Sequence, residues 1–254
     1  MQNISVIILA AGKGKRMNNP DIPKVMALLA DKPLIGHVID SIEPLHPSHT
    51  VVIVGHHKEK VKEYITSLSQ LSGMNLLTVV QEEQLGTGHA VAQAEHTLQG
   101  VGGDILILSG DVPLMSTQTI EYFINEHKNN NAIISVLSAH IPESTGYGRI
   151  VRNNENQFLK IVEHKDASDD EKTINEINSG IYCVKAEYLF SSLHKVSNFN
   201  AQGEYYLTDI VGILQQEGHK VQAVVCSDYR EILGINTSEE LAAASALWNL
   251  LQHH

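Results

Sequence analysis

Ile4-Ser5-Val6-Ile7-Ile8-Leu9 runs straight into Ala10-Ala11-Gly12-Lys13-Gly14-Lys15-Arg16-Met17, and Pro23-Lys24 follows shortly after. An unbroken apolar run of this length predicts a strand, Ser5 to Leu9, buried on both faces as in the middle of a parallel sheet. The glycine-rich stretch that ends it predicts a loop. Its free backbone N–H groups and its Lys and Arg side chains can meet the oxygens of a polyphosphate. A dinucleotide fingerprint would need a third glycine where Met17 stands, and no G-x-x-x-x-G-K-[ST] run is present. Gly12 and Gly14 therefore predict a looser turn, with Arg16 and Lys24 as two separate cations. Taken alone, the same residues also read as a plain strand-to-helix turn with solvated lysines.

Outward from that stretch, apolar runs alternate with helical spacing, the pattern of a mostly parallel sheet flanked by helices. Strands are expected at Thr50–Val54, Leu76–Val80 and Asp104–Leu108, the last of them central. Helical stripes lie at Leu34, Ile35, Val38, Ile39 and Ile42, and at Val61, Tyr64, Ile65, Leu68 and Leu71. The alanine-rich segment Gly88–Leu98 predicts a helix. After Ala139 short strands at 149–151 and 158–162 flank a turn-rich Asn153-Asn154-Glu155-Asn156. A strand at Ile177–Val184, helices at Ala186–Leu193 and Thr208–Gln216, an edge or late strand at Val221–Val225, and a helix at Ser238–Leu251 capped by Ser238 complete the expectation. The fold class is thus α/β with a Rossmann-like, mostly parallel mixed sheet. One domain is expected, with a phosphate-binding first half (about 1–112), a recognition half (about 113–236) and a C-terminal helix.

The 254 residues are 43% hydrophobic, enough for a sizeable core, and the formal net charge is −11. An acidic body with basic residues gathered on one loop argues for a small anionic ligand and against nucleic acid. Cys183 and Cys226 sit inside apolar runs without C-x-x-C spacing, so they read as core residues of a reducing compartment, not as a disulfide or zinc site. No apolar run approaches the ~18 residues of a membrane helix, and no leader pattern opens the chain, so a cytoplasmic protein without membrane contact is expected.

Chemistry-bearing residues cluster at the expected strand ends. Leu108-Ser109-Gly110-Asp111-Val112-Pro113 puts a carboxylate past a central strand, where open α/β sheets bind ligands. Asp111 there suits a Mg²⁺ ion that also touches phosphate oxygens, and it equally suits capping of the following turn. In Gln81-Glu82-Glu83-Gln84-Leu85-Gly86-Thr87-Gly88-His89, an amide matches a nucleobase edge and Gly86 allows close backbone approach. Thr87 capping a helix is the plainer alternative. Thr145-Gly146-Tyr147-Gly148-Arg149, Glu163 and Asn178 offer a carboxylate and an amide, equipment for sugar hydroxyls. Asn236, before the last helix, reads as an N-cap neighbour or as a second metal ligand.

Together the motifs resemble one family, the sugar-1-phosphate nucleotidyltransferases, and most narrowly the uridylyltransferase half of the bifunctional bacterial enzymes that make UDP-N-acetylglucosamine. The resemblance rests on L-A-A-G-K-G-K-R-M (Leu9–Met17) with Pro23-Lys24, Q-L-G-T-G-H-A (Gln84–Ala90) and G-D-V-P-L (Gly110–Leu114). It continues through T-G-Y-G-R-I (Thr145–Ile150), I-V-E-H-K-D-A (Ile161–Ala167), E-I-N-S-G-I (Glu176–Ile181) and N-A-Q-G-E-Y-Y-L-T-D-I (Asn200–Ile210). It implies the nucleotide-diphospho-sugar transferase fold and Mg²⁺-dependent uridylyl transfer from UTP to N-acetylglucosamine 1-phosphate. The products would be UDP-N-acetylglucosamine, for cell-wall and lipopolysaccharide precursors, and pyrophosphate.

Carried onto these positions, it implies that Leu9, Ala10, Ala11, Gly12 and Gly14 line the nucleotide and that Arg16 and Lys24 neutralise its phosphates. Gln81, Gly86 and Thr87 would read uracil, Asp111 and Asn236 would hold Mg²⁺, and Gly146, Glu163 and Asn178 would hold the sugar. Ser109 and Gly110 join the substrate-binding set, although Ser109 stands where the family commonly has an aromatic residue. Nothing after Trp248 forms the β-helix of hexapeptide repeats that carries acetyl transfer in the bifunctional enzymes, so acetyl-CoA is not an expected substrate. N-acetylgalactosamine 1-phosphate or glucose 1-phosphate as acceptor, another nucleotide base, and an inactive nucleotide-sugar sensor are the alternatives.

Overall fold

The computed structural model describes residues 3–12, 22–55 and 58–252. β1 (Ile4–Ala10) lies between two parallel neighbours, β4 (His49–Val54) and β6 (Asp104–Ser109), with Ile8 opposite Val52 on one side and Leu108 on the other. β5 (Leu76–Val80) extends the parallel set beyond β4. On the other side, β10 (Glu176–Lys185) runs antiparallel to β6, and β7 (Ile134–His140) antiparallel to β10. β11 (Val221–Val225) is the edge, parallel to β7. The order is β11-β7-β10-β6-β1-β4-β5, so the sheet is mixed, as expected. The hairpin of β8 (Gly148–Arg152) and β9 (Phe158–Val162) attaches through β8 to the start of β10. A tiny ribbon of β2 (Leu28–Leu29) and β3 (Lys32–Pro33) stands apart.

Period-2 alternation along β1 sorts the core into two layers. Val6, Ile8 and Ala10 pack with α1 (Leu34–Ile42), α2 (Lys58–Ser72) and α4 (Thr117–Asn129) on one face. Ile7 packs on the other face with α3 (Thr87–Ala92), α6 (Ala186–Leu193) and α7 (Asp209–Gln216). Each fully buried Ile or Leu in these layers contributes about 1.5–3 kcal/mol through apolar burial. One turn, α5 (Asp169–Lys172), lies between β9 and β10, and α8 (Ser238–Gln252) closes the chain against Leu29 and Leu34 through Leu241, Ala244 and Trp248. Among the described residues no helix is long and apolar enough to cross a membrane. Both cysteines are free and buried, as their apolar surroundings predict.

Three expectations change. The helix read over Gly88–Leu98 ends at Ala92, and residues 93–100 form turns. The Gln93, Ala94 and Glu95 N–H groups bond three residues back, and the Gln93 side chain occupies the His89 carbonyl that its own N–H would take in an α-helix. Ser238 is the first residue of α8, and the capping is done by Thr237, whose hydroxyl accepts from the Glu240 N–H while Glu240 reaches back to the Thr237 N–H. Finally, α4 and β7 fill the stretch between Pro113 and Ala139, for which the sequence yielded no elements. The buried stripe of α4 ends on His127, a residue that apolar counting passes over.

Candidate active site

A cleft of about 430 Å³ opens at the carboxyl ends of β1, β5 and β6, the crevice where open α/β sheets bind ligands. Leu9, Ala10, Ala11 and Gly12 leave β1 along one wall, and Ser109 and Asp111 leave β6 along the other. Two glycines let the backbone crowd together here. A Cβ on Gly110 would stand 3.1 Å from the Leu9 carbonyl oxygen, and one on Gly55 would stand 2.7 Å from that of Ala11. Gly110 packs beneath the cleft against Leu9 and Val25 instead of lining it. Gly14 and Arg16 lie outside the described residues.

Lys24 opens a 3₁₀ turn, Lys24–Met26, after Pro23, with the Met26 N–H on the Pro23 carbonyl and Val25 sunk into the core. That anchor aims the Lys24 ammonium into the cleft, where it pairs with Asp111 Oδ2 and donates to Asn236 Oδ1 at 2.7 Å. Asp111 is only 8% exposed, and its other oxygen accepts from the Ser109 hydroxyl. The Asn236 amide nitrogen donates to the Gly234 carbonyl, which turns Oδ1 toward Lys24, and Glu240 takes the Asn236 backbone N–H. Asn236 therefore adjoins the cap of α8, and its amide oxygen meets the Lys24 ammonium. For Asp111, the side chain makes no cap of the following turn.

The Lys24 ammonium is a stand-in for a cation: one carboxylate and one amide oxygen already converge on it. Hard oxygen donors of this kind fit a divalent ion such as Mg²⁺, which keeps most of its shell for water and phosphate. Among the described residues no group of three or more His, Cys, Asp or Glu could hold a metal. An ion here would depend on these two oxygens and on the ligand.

The far wall is the β5–α3 connection. Gly86 (φ 113°) has the Tyr205 backbone so near that a Cβ would approach its carbonyl oxygen to 2.6 Å. The Gly88 N–H donates to that oxygen, the Tyr205 N–H donates to the Leu85 carbonyl, and the Leu207 N–H donates to the Thr87 hydroxyl. Thr87 thus ties two segments together and does not cap α3, whose N-cap is Gly86. The same pairing brings Glu204 to the cleft, and Gln84 joins it from the connection itself. Both fall within stretches quoted in the sequence, but neither was named as a site residue. Glu204 arrives by tertiary pairing, which leaves no local trace in the sequence.

A second cavity of about 230 Å³ shares Leu9, Thr87 and Ser109 with the first and is otherwise lined by residues of the second half. Gly146, Glu163 and Asn178, read from the sequence as one set, do meet there. Tyr147, Ser179 and Thr208 line it as well. Asn178 is placed by a bulge in β10 between Asn178 and Tyr182, and its Oδ1 accepts from the Gly180 N–H at 2.9 Å. Burial pushes the Glu163 carboxyl above its usual range, against the bond donated by Thr208 and with help from Asp209, Asp166 and Glu204.

A family model described as nucleotidyl transferase matches residues 5–249. The bifunctional protein GlmU of Shouchella clausii is 45% identical over 240 residues, 94% of this chain and 51% of that protein. The same protein of Latilactobacillus sakei is 44% identical over 245 residues, with 96% and 51% covered. The chain spans about half the length of the curated relatives it matches. Among solved structures, a UDP-glucose pyrophosphorylase complexed with UDP-glucose superposes with a TM-score of 0.79 over 98% of this chain and 99% of its own, at 18% identity. A putative glucose-1-phosphate thymidylyltransferase from Bacillus anthracis in complex with sucrose gives 0.76 over 96% and 94%, at 19% identity. These likenesses carry the fold, the nucleotide-diphospho-sugar transferase fold.

Proposed function

The chain belongs to the nucleotidyl transferase family, and on that premise we propose that it moves a uridylyl group from UTP to N-acetyl-α-D-glucosamine 1-phosphate. The products are UDP-N-acetylglucosamine and pyrophosphate. The observation that carries this reading is the abutment of the two cavities at Leu9, Thr87 and Ser109, with Lys24 and Asp111 in the first, Asn236 bonded to that Lys24, and Glu163 and Asn178 in the second. A nucleoside triphosphate in one and a sugar phosphate in the other would meet phosphate to phosphate. Residues 1–112 serve chiefly the nucleotide, 113–236 the sugar, and α8 braces the Asn236 loop. The reaction belongs to the cytoplasm.

The reaction needs no protein nucleophile. An anionic oxygen of the sugar phosphate attacks the α-phosphorus in line. The new P–O bond forms as the bond to the β-phosphate oxygen breaks, and the electron pair leaves on pyrophosphate. Lys24, with Arg16 from the glycine-rich loop, neutralises charge as it shifts onto the leaving group. The backbone from Leu9 to Gly12 and the Glu163–Asn178 pair hold the reactants in register, which replaces a chance encounter with a fixed approach. Asp111 and Asn236 would hold Mg²⁺, which supplies charge neutralisation across the phosphates when bound. Ser109 keeps the Asp111 carboxylate turned to that task.

Pyrophosphate release measured over all four nucleoside triphosphates and a panel of sugar 1-phosphates tests the proposal. The largest rate is expected with UTP and N-acetylglucosamine 1-phosphate, and EDTA should abolish it until Mg²⁺ is restored. Binding without release under every combination would make the protein a sensor, and a larger rate with another pair would correct the substrates.

A further inference from the structure

Gln81 is 3% exposed and sits where β5 meets the nucleotide cleft. Its amide nitrogen donates to the Gly86 carbonyl at 3.1 Å and lies 3.0 Å from His89 Nδ1. A carbonyl only accepts, so Gly86 decides which end of the Gln81 amide faces it, and His89 Nδ1 must accept as well. Amide oxygen and nitrogen are nearly alike in shape, and partners of fixed role are what tell them apart. Among the described residues the Gln81 carbonyl oxygen accepts from nothing, which leaves it as the group that Gln81 offers to the cleft.

The other ring nitrogen of His89 lies 3.2 Å from the Gln93 amide nitrogen, which also donates to the His89 carbonyl at 3.0 Å. An uncharged imidazole accepts at one nitrogen and donates from the other. With Nδ1 committed to Gln81, the proton rests on Nε2. Gln93 keeps its amide nitrogen on the His89 carbonyl and, being half-buried, can swing off the ring so that water takes the Nε2 proton, whereas buried Gln81 is fixed by the Gly86 carbonyl.

We infer that His89 is a specificity-determining positioning residue: by accepting from the Gln81 amide, it keeps the Gln81 carbonyl oxygen toward the cleft. The cleft then receives the N3–H of a uracil ring and opposes the N3 lone pair of cytosine. The inference rests on the uridylyl reading for placing a pyrimidine in this cleft. His89 itself acts through Gln81 from the first turn of α3. A site built around one fixed hydrogen bond rejects the mismatched base because a buried polar group is left unpaired.

Calorimetric titration with UTP and with CTP reads this directly, in the wild type, His89→Phe and His89→Asn. Phenylalanine keeps a ring and loses the acceptor, and asparagine returns an acceptor near the Nδ1 position. The wild type is expected to prefer UTP. In H89F the ratio of UTP to CTP affinity should fall about tenfold, the worth of one hydrogen bond, and H89N should restore it. A merely structural role for His89 would weaken both nucleotides alike, and an unchanged ratio in folded H89F overturns the inference. So does a wild type that binds CTP as tightly as UTP. If H89F does not fold, His89→Leu carries the same comparison. Because binding is read and not turnover, a wild type that selects UTP yet releases no pyrophosphate ends the transfer proposal alone.

Discussion

Replacing Lys24 with alanine is expected to lower uridylyl transfer by on the order of 10²-fold or more, with the protein still folded. In the proposed reaction, negative charge moves from the bond under attack onto pyrophosphate, so a fixed cation is worth more in the transition state than with bound UTP. Lys24 is well fixed. Pro23 and the 3₁₀ turn set its backbone, and Val25 anchors the turn in the core. The loss should therefore fall on kcat more than on the KM for UTP. The fold should tolerate the change because the pair lines the cleft, and the space the lysine vacates opens the Asp111 carboxylate to water. Steady-state kinetics and circular dichroism on the same sample check both halves. A K24A protein with kcat near wild type would remove Lys24 from the mechanism.

Asp111→Asn is the second large effect. The swap keeps shape, and an amide oxygen can still accept from Ser109, so what is removed is the negative charge. Between them Asp111 and Asn236 offer a divalent ion one charged and one neutral oxygen, and D111N leaves two neutral ones. Turnover is expected to fall by about 10²-fold or more, because hard cations are held mainly by carboxylate charge. The metal optimum should also move to a higher Mg²⁺ concentration. That second readout separates a lost ligand from a lost fold. Rate against Mg²⁺ concentration measures it, and a D111N curve with the wild-type midpoint would show that Asp111 holds no metal.

The sheet was largely legible because its central strands are buried on both faces and so read as unbroken apolar runs. Leu76–Val80 matches to the residue, and β1, β4 and β6 differ by a residue or two at their ends. Where side chains compete for backbone groups, the pattern misled. Alanine content argues for helix through Leu98, but the Gln93 amide takes a helix carbonyl and the turn tightens. At α8, Ser238 and Thr237 are equally good caps by composition, and Glu240 decides by reaching Thr237. The site shows the same division. Lys24, Asp111 and Asn236 are far apart in the chain, and it is the family resemblance that named them together, since spacing alone left Asn236 open between a cap neighbour and a ligand. Glu204, Leu207 and Thr208 were missed as site residues. They arrive because the Tyr205 backbone docks on Leu85 and Gly88, a pairing with no periodic signal.

At the centre stands the claim that this cleft transfers by positioning and charge alone, with no covalent intermediate on the protein. The direct measurement uses one diastereomer of UTP bearing sulfur on the α-phosphorus, with N-acetylglucosamine 1-phosphate as acceptor, and reads the configuration of the sugar nucleotide formed. A single in-line attack predicts inversion at phosphorus. Retention would require two successive displacements and a nucleophile on the chain, and it would contradict the account.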